Sequence, residues 1–242
     1  MSLLYCELLG DETSKAGFCN KNYPIWELLK KDKKWTPKKE KIINNNVQNN
    51  SQNIFIYRAN VIKWLFKIRY LPQLMKISNA SIYNTIEIID MFLASNFVHK
   101  SQIKLLAMGA LVISSKFYDD NPLEPLHIFN ICNDYPISDI IEAEQELLDF
   151  LDWQISIITP YTYISNLDTT DDIREVALII YEKFSMKKSF LDQNPANIAI
   201  VCIFFAYRLL GELSDTDYNQ AFIAISMPNN SANEWFKNIL VK

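Results

Sequence analysis

From Ile103 to Ser115 the chain carries one charge, Lys104, and its apolar residues fall on every side of a helical projection. A helix that is hydrophobic all round belongs inside a bundle, where neighbours cover each of its faces. The surrounding stretch, Ser101 to Phe117, is seventeen residues long with Lys near both ends, which is short for a bilayer span and fits a soluble core. Ala107, Gly109, Ala110, Ser114 and Ser115 are small, so other helices can approach its backbone closely. The stretch reads as the hub of a helical bundle, and its polar exit, Ser115-Lys116-Phe117-Tyr118-Asp119-Asp120, is where function is sought.

Only four glycines occur in 242 residues, which fits long helices with few tight turns better than many short strands. An apolar fraction of 49% fills a core in one large domain or two small ones. The net charge of -4 argues against a broad phosphate-binding surface, so nucleic acid is not an expected partner. Cys6, Cys19, Cys132 and Cys202 show no metal-ligand spacing and no signal peptide precedes them. Reduced thiols in an intracellular protein, nuclear or cytoplasmic, are expected, with no membrane partner.

Along the chain, Asn22-Tyr23-Pro24 opens a short amphipathic helix carrying Ile25, Trp26, Leu28 and Leu29. Lys30, Lys31, Lys33, Lys34, Lys38, Lys39 and Lys41 follow, a run that reads as a solvated face or an import signal. Asn44 to Asn53 is polar, low-complexity sequence. Ser51 then caps a helix with Ile54, Phe55, Val61, Ile62, Leu65 and Ile68 at helical spacing, and Ser78 opens another with Ile82, Ile86, Ile89 and Leu93. The hub is third, a short helix from about Leu123 to Cys132 fourth, and a fifth is capped by Ser138, with Glu142, Glu144 and Glu146 off its inner face.

After Trp153 the pattern begins again. Thr159-Pro160 starts a helix, Ile173, Val176, Ile180 and Phe184 mark a second, and Ile198 to Leu210 is a second nearly all-apolar helix. Ser231-x-x-Glu234 is a capping box ahead of a last helix. The expected fold is therefore all-α, two tandem five-helix bundles with an N-terminal helix. Residues 1–50 form the N-terminal segment, 51–157 the first bundle and 158–242 the second.

No glycine-rich phosphate loop, nucleophile elbow or HExxH run is present, and neither His99 nor His127 stands in a recognisable catalytic motif with a Cys or Ser. Asp168, Asp171 and Asp172 could share a divalent metal as in helical isoprenoid enzymes, but acids before Ile173 are also what a helix N-terminus prefers. No catalytic residue, cofactor or metal is expected. Lys116 and Glu144 stand at the polar margins of two core-forming helices, where a Lys complementing its helix C-terminus and a Glu on a wet face is the simpler account.

Tyr57-Arg58-Ala59-Asn60-Val61 ahead of Trp64, Ile88-Ile89-Asp90-Met91-Phe92-Leu93, Ser114-Ser115-Lys116-Phe117, and Ala143-Glu144 ahead of Leu147-Leu148 resemble, in order and spacing, the first cyclin box. Phe190-Leu191-x-x-x-Pro195-x-x-Ile198-Ala199 resembles part of a second, more divergent box. The flanking Ile25-Trp26-Glu27-Leu28-Leu29 and Leu151-Asp152-Trp153-Gln154-Ile155 are most similar to plant-like D-type members.

The resemblance implies a cell-cycle activator of a cyclin-dependent kinase, without catalysis of its own. Lys116 and Glu144, with Phe117 beside them, would meet the kinase at its regulatory C helix, whose inward position completes the kinase's Lys-Glu ion pair. Arg58 and Asp90 would form the family's internal ion pair. Tyr57, Val61, Trp64 and Lys67 fall on the family's docking patch for substrates or inhibitors. Tyr57, Asn60 and Lys67 replace that patch's Met, Ile and acid, so an Arg-x-Leu motif would meet a more polar surface of the wrong charge. Thr36-Pro37 is a candidate phosphosite for a proline-directed kinase, and the added charge would sit amid lysines. Two other classes remain open: a TFIIB-like transcription adaptor on the same fold, which would need a basic face, and the helical metal enzyme.

Overall fold

In a computed structural model, described for residues 38, 41, 42, 44, 51–71, 77–167 and 169–211, every regular element is helical. Helices α1 (Ser51–Ile68), α2 (Asn79–Ser95), α3 (Ile103–Tyr118), α4 (Pro125–Ile131) and α5 (Ile137–Phe150) are followed by α6 (Pro160–Asn166), α7 (Asp171–Ser185) and α8 (Pro195–Leu209). Short 3-10 turns occupy Lys100–Gln102 and Lys188–Asp192. The chain is all-α. The helices expected near residues 22–29 and after Ser231 lie outside the described residues.

The chain divides into two compact units, and one cut does not separate them. The larger unit contains the first five helices and runs on to Thr162, then takes in Glu182–Asp192; the smaller contains, among the described residues, Tyr163–Tyr181 and 193–211. The expected boundary between 157 and 158 does not anticipate the return of 182–192 to the larger unit.

In the larger unit α3 is central. Ile103 and every residue from Leu106 to Ser115 are buried, as an all-apolar helix requires, and α3 packs chiefly against α2 and α5. At Gly109 α3 and α5 approach closely: a Cβ placed there would lie 2.9 Å from both the Ala143 carbonyl carbon and the Glu144 amide nitrogen. Helix α2 is nearly as enclosed as the hub. All ten residues from Ser81 to Asp90 are buried, four of them polar or charged besides Ser81: Asn84, Thr85, Glu87 and Asp90. Each of these four side chains makes at least one hydrogen bond, although Asn84 Oδ1 is left without a partner. Thr85 Oγ1 donates back to Ser81 O at 2.7 Å, and Asn84 Nδ2 donates to Ser114 Oγ at 3.1 Å.

Capping differs in part from expectation. Ser78 Oγ accepts from Ser81 N at 3.1 Å at the start of α2, and Asn194 Oδ1 accepts from Ala196 N at 2.8 Å at the start of α8. Pro136 rather than Ser138 stands at the N-cap of α5, and Ser138 lies within the first turn with its hydroxyl on Asp139. In α7 the buried stripe is Ile173, Ala177, Tyr181 and Phe184, so Val176 and Ile180 sit at its edge. After α5 the backbone turns through Asp152 and Trp153, both non-glycine residues at positive φ, 48° and 59°.

Candidate functional site

Helix α3 ends where its apolar character stops, and its last turn carries Lys116, Phe117 and Tyr118 to the edge of the core. Asp119 closes the helix and turns back onto α2: its Oδ1 accepts from Ser78 N at 3.0 Å and from Ser81 Oγ at 2.8 Å. An acid at a helix N-terminus satisfies free amides and complements the dipole. Ser115 Oγ accepts from Leu123 N at 2.8 Å and so fixes the departure of the loop. The polar exit is thus held on both sides, which orients Lys116.

Glu144 reaches the same place from α5. Lys116 Nζ donates to Glu144 Oε1 at 2.7 Å. The two side chains differ in setting, with 46% of the lysine side chain exposed and 11% of the glutamate. The expectation that Glu144 stands on a wet face is therefore corrected: it is buried, whereas Glu142 and Glu146 are exposed. The close approach at Gly109 presses the Glu144 backbone onto α3 and accounts for that burial. Phe117 is 50% exposed beside the pair and meets Tyr118 edge-on, with ring centroids 4.8 Å apart. Ile141, one turn before Glu144 on α5, is exposed as well.

Arg58 and Asp90 face each other between α1 and α2, each 1% exposed. Arg58 Nε and Nη2 donate to Asp90 Oδ1 and Oδ2 at 2.5 and 2.6 Å, the two-pronged geometry that suits a guanidinium and a carboxylate. A third bond, Arg58 Nη1 to Ser185 O at 2.7 Å, ties the pair to the end of α7. No sequence signal marked Ser185, because its contribution is a backbone carbonyl.

Tyr57, Trp64 and Lys67 of the docking patch lie on the outer side of α1, and Val61 does not. Val61 is buried, while Tyr57 and Lys67 are exposed and Trp64 is half-buried. Lys100 Nζ stands 5.7 Å from the Tyr57 ring centroid and Lys104 Nζ 5.4 Å from that of Trp64. Lys104 also donates to Asp134 Oδ2. Burial alone would lower the Lys104 ammonium, but the bond to Asp134 and the neighbouring Cys132 outweigh it and hold it above its ordinary value. The bond from Lys104, then that from Cys132, holds the Asp134 carboxyl below its own.

Lys38 belongs to the run that reads as a solvated face, yet it is largely buried: its ammonium donates to Glu87 on α2, and its amide donates to Leu191 O at 3.0 Å. Composition gives no hint of this, since the partners lie far away in sequence. Thr36 and Asp168 lie outside the described residues. Asp171 pairs with Arg174 within its own helix and is almost fully exposed. Among the described residues no group of three or more His, Cys, Asp or Glu is placed to hold a metal ion, and no helix is long and apolar enough to cross a membrane.

The family model described as "Cyclin, N-terminal domain" matches residues 24–156, more than half of the chain and all of α1 to α5. The chain belongs to the cyclin family. It is 28% identical over 171 residues to G2/mitotic-specific cyclin-4 of Saccharomyces cerevisiae, covering 68% of this chain and 36% of that protein. It is also 28% identical over 155 residues to G2/mitotic-specific cyclin-1 of Antirrhinum majus, covering 62% and 32%. These matches thus span about a third of the length of the curated relatives. Among solved structures, a viral cyclin from herpesvirus saimiri superimposes with a TM-score of 0.62 at 14% identity, covering 74% of this cyclin and 81% of that chain, which supports the fold. Both named relatives carry mitotic titles, so the D-type likeness rests on the flanking segments alone.

Proposed function

We propose that this cyclin is a regulatory subunit that binds and activates a cyclin-dependent protein kinase in cell-cycle control, with no catalysis of its own, and works in the nucleus or cytoplasm. The observation that carries the reading is the Lys116–Glu144 pair at the rim of α3 and α5. One ammonium hydrogen serves Glu144 Oε1, which leaves the lysine two donors and the glutamate its second oxygen. A donor and an acceptor are therefore held side by side, oriented before any partner arrives, beside the apolar surface of Phe117. Pre-orientation lowers the ordering cost of association. A kinase helix that took both contacts would be fixed in position as well as bound, and a fixed C helix is what completes the kinase's ion pair.

The test titrates purified cyclin-dependent kinases with the full chain and follows transfer of phosphate to a protein substrate. Saturable activation of at least one kinase, with no transfer by the cyclin alone, is expected. Failure to bind or activate any kinase by a chain that melts cooperatively would contradict the proposal.

A further inference from the structure

Cys132 closes α4, its amide donating to Ile128 O at 2.9 Å. Its thiol donates to Asp134 Oδ2 at 3.2 Å, and Lys104 Nζ, from the first turn of α3, donates to the same oxygen at 2.5 Å. The thiol also lies within hydrogen-bonding reach of the ammonium. A nucleophilic sulfur and a primary amine therefore converge on one carboxylate oxygen. Tyr135, whose hydroxyl donates to Ser101 O, ties the same connection to the approach of α3, so the convergence is held on both sides of Asp134. Of the side chains, 54% of Asp134 and 30% of Lys104 are exposed, whereas Cys132 is 8% exposed. A reagent the size of water reaches such a sulfur more readily than a bulky one.

A lysine beside a cysteine favours the thiolate, which is the form that reacts. Cys202 gives the contrast: it is fully buried in α8, and that burial pushes its thiol well above the ordinary value. Peroxide converts a reactive thiolate to a sulfenic acid, and a sulfenic acid condenses with a nitrogen held against it to give a sulfenamide. Here the nitrogen held against sulfur is Lys104 Nζ.

We propose that hydrogen peroxide joins Cys132 to Lys104 through a covalent Sγ–Nζ bond, a reversible staple between α3 and the connection from α4 to α5. The thiol gives its proton to Asp134, which passes it to water, and the thiolate attacks peroxide. An S–O bond forms, the O–O bond breaks, and sulfur is oxidised as peroxide is reduced. The departing hydroxide takes a proton from the Lys104 ammonium. The free amine then attacks sulfur, the S–O bond breaks, and the second hydroxide leaves as water with a proton from nitrogen. One thiol, one ammonium and one peroxide thus give one sulfenamide, two waters and a proton. A small thiol attacking the sulfur releases the amine and leaves a mixed disulfide, which a second thiol reduces. While closed, the staple removes the ammonium that stands over the Trp64 ring and constrains the unfolded chain, so the melting temperature rises.

The full chain is treated with hydrogen peroxide, its remaining thiols are blocked, and it is digested and mapped by mass spectrometry, with a melting curve alongside. A peptide pair joined at Lys104 and Cys132, lighter than the sum of its parts by two hydrogens, is expected together with a higher melting temperature. A thiol reductant should reverse both. Lys104→Arg keeps the charge and removes the primary amine, so this variant should yield no joined pair and no rise; the wild-type map decides alone should the variant fold poorly. The map reads Cys132 itself, so oxidation of the other cysteines does not enter. Cys132 recovered from a normally melting wild type as free thiol, or carried on to sulfinic acid without a joined pair, would overturn the proposal. So would an equal rise in melting temperature in a well-folded Lys104→Arg.

Discussion

Arg58 holds a full positive charge where 1% of its surface reaches water, and three hydrogen bonds answer it, two from Asp90 and one from the Ser185 carbonyl. Removing one partner of such a pair strands the other, so Arg58→Ala should cost about 3 to 5 kcal/mol of stability, measured by denaturant melts. Replacing both Arg58 and Asp90 with leucine should recover part of that loss, because no charge is then left buried. An Arg58→Ala variant as stable as wild type would show that the pair is not closed in solution. The pair itself was legible, since both residues stand at recognisable places in short motifs. Ser185 was not, because a carbonyl 127 residues away leaves no mark on side-chain pattern. Glu144 shows the opposite failure: helical spacing puts it at a margin, and only the approach of two particular backbones decides that the margin is buried.

That approach is a property of elements. Helices α3 and α5 meet at Gly109, where a Cβ would come within 2.9 Å of backbone atoms of Ala143 and Glu144. Gly109→Ala would aid the isolated helix by up to about 1 kcal/mol, but forcing the helices apart costs roughly 1 to 3 kcal/mol. Net destabilisation is expected, with a further loss of kinase association as Glu144 shifts away from Lys116. A higher melting temperature in the alanine variant would mean the helices are not in close contact there. The hub itself was readable because a helix apolar on all sides has one place to go. Helix α2 was read from the stripe Ile82, Ile86, Ile89 and Leu93, yet its buried residues also include Asn84, Thr85, Glu87 and Asp90. Burial of polar residues follows from partners on other elements, such as Ser114 and Arg58, and a one-dimensional pattern cannot supply them.

At the scale of the whole molecule, the all-helical class was legible from periodicity, whereas the assignment of Glu182–Asp192 to the larger unit was not. Within that unit Arg69 Nη2 meets Glu182 Oε1 at 2.5 Å, and Lys188 Nζ lies 4.6 Å from the Phe55 ring centroid. These contacts join α1 and the residue just after it to a segment more than a hundred residues later, and together they hold the helix that carries Arg58. The central claim concerns what this framework presents, namely Lys116 and Glu144 as a joined kinase contact. The most direct measurement is a double-mutant cycle: affinity for an activated kinase of wild type, Lys116→Ala, Glu144→Ala and the double variant, with melts alongside. Each single change should weaken association by about 2 to 4 kcal/mol, roughly 30-fold to 1000-fold, while the double variant falls short of the sum because the two groups act together. In the melts Lys116→Ala should be the more costly of the two, by about 1 to 2 kcal/mol, since it strands a buried carboxylate whereas Glu144→Ala frees an ammonium already near water. Kinase affinity and activation unchanged in both single variants, with normal melting, would contradict the account.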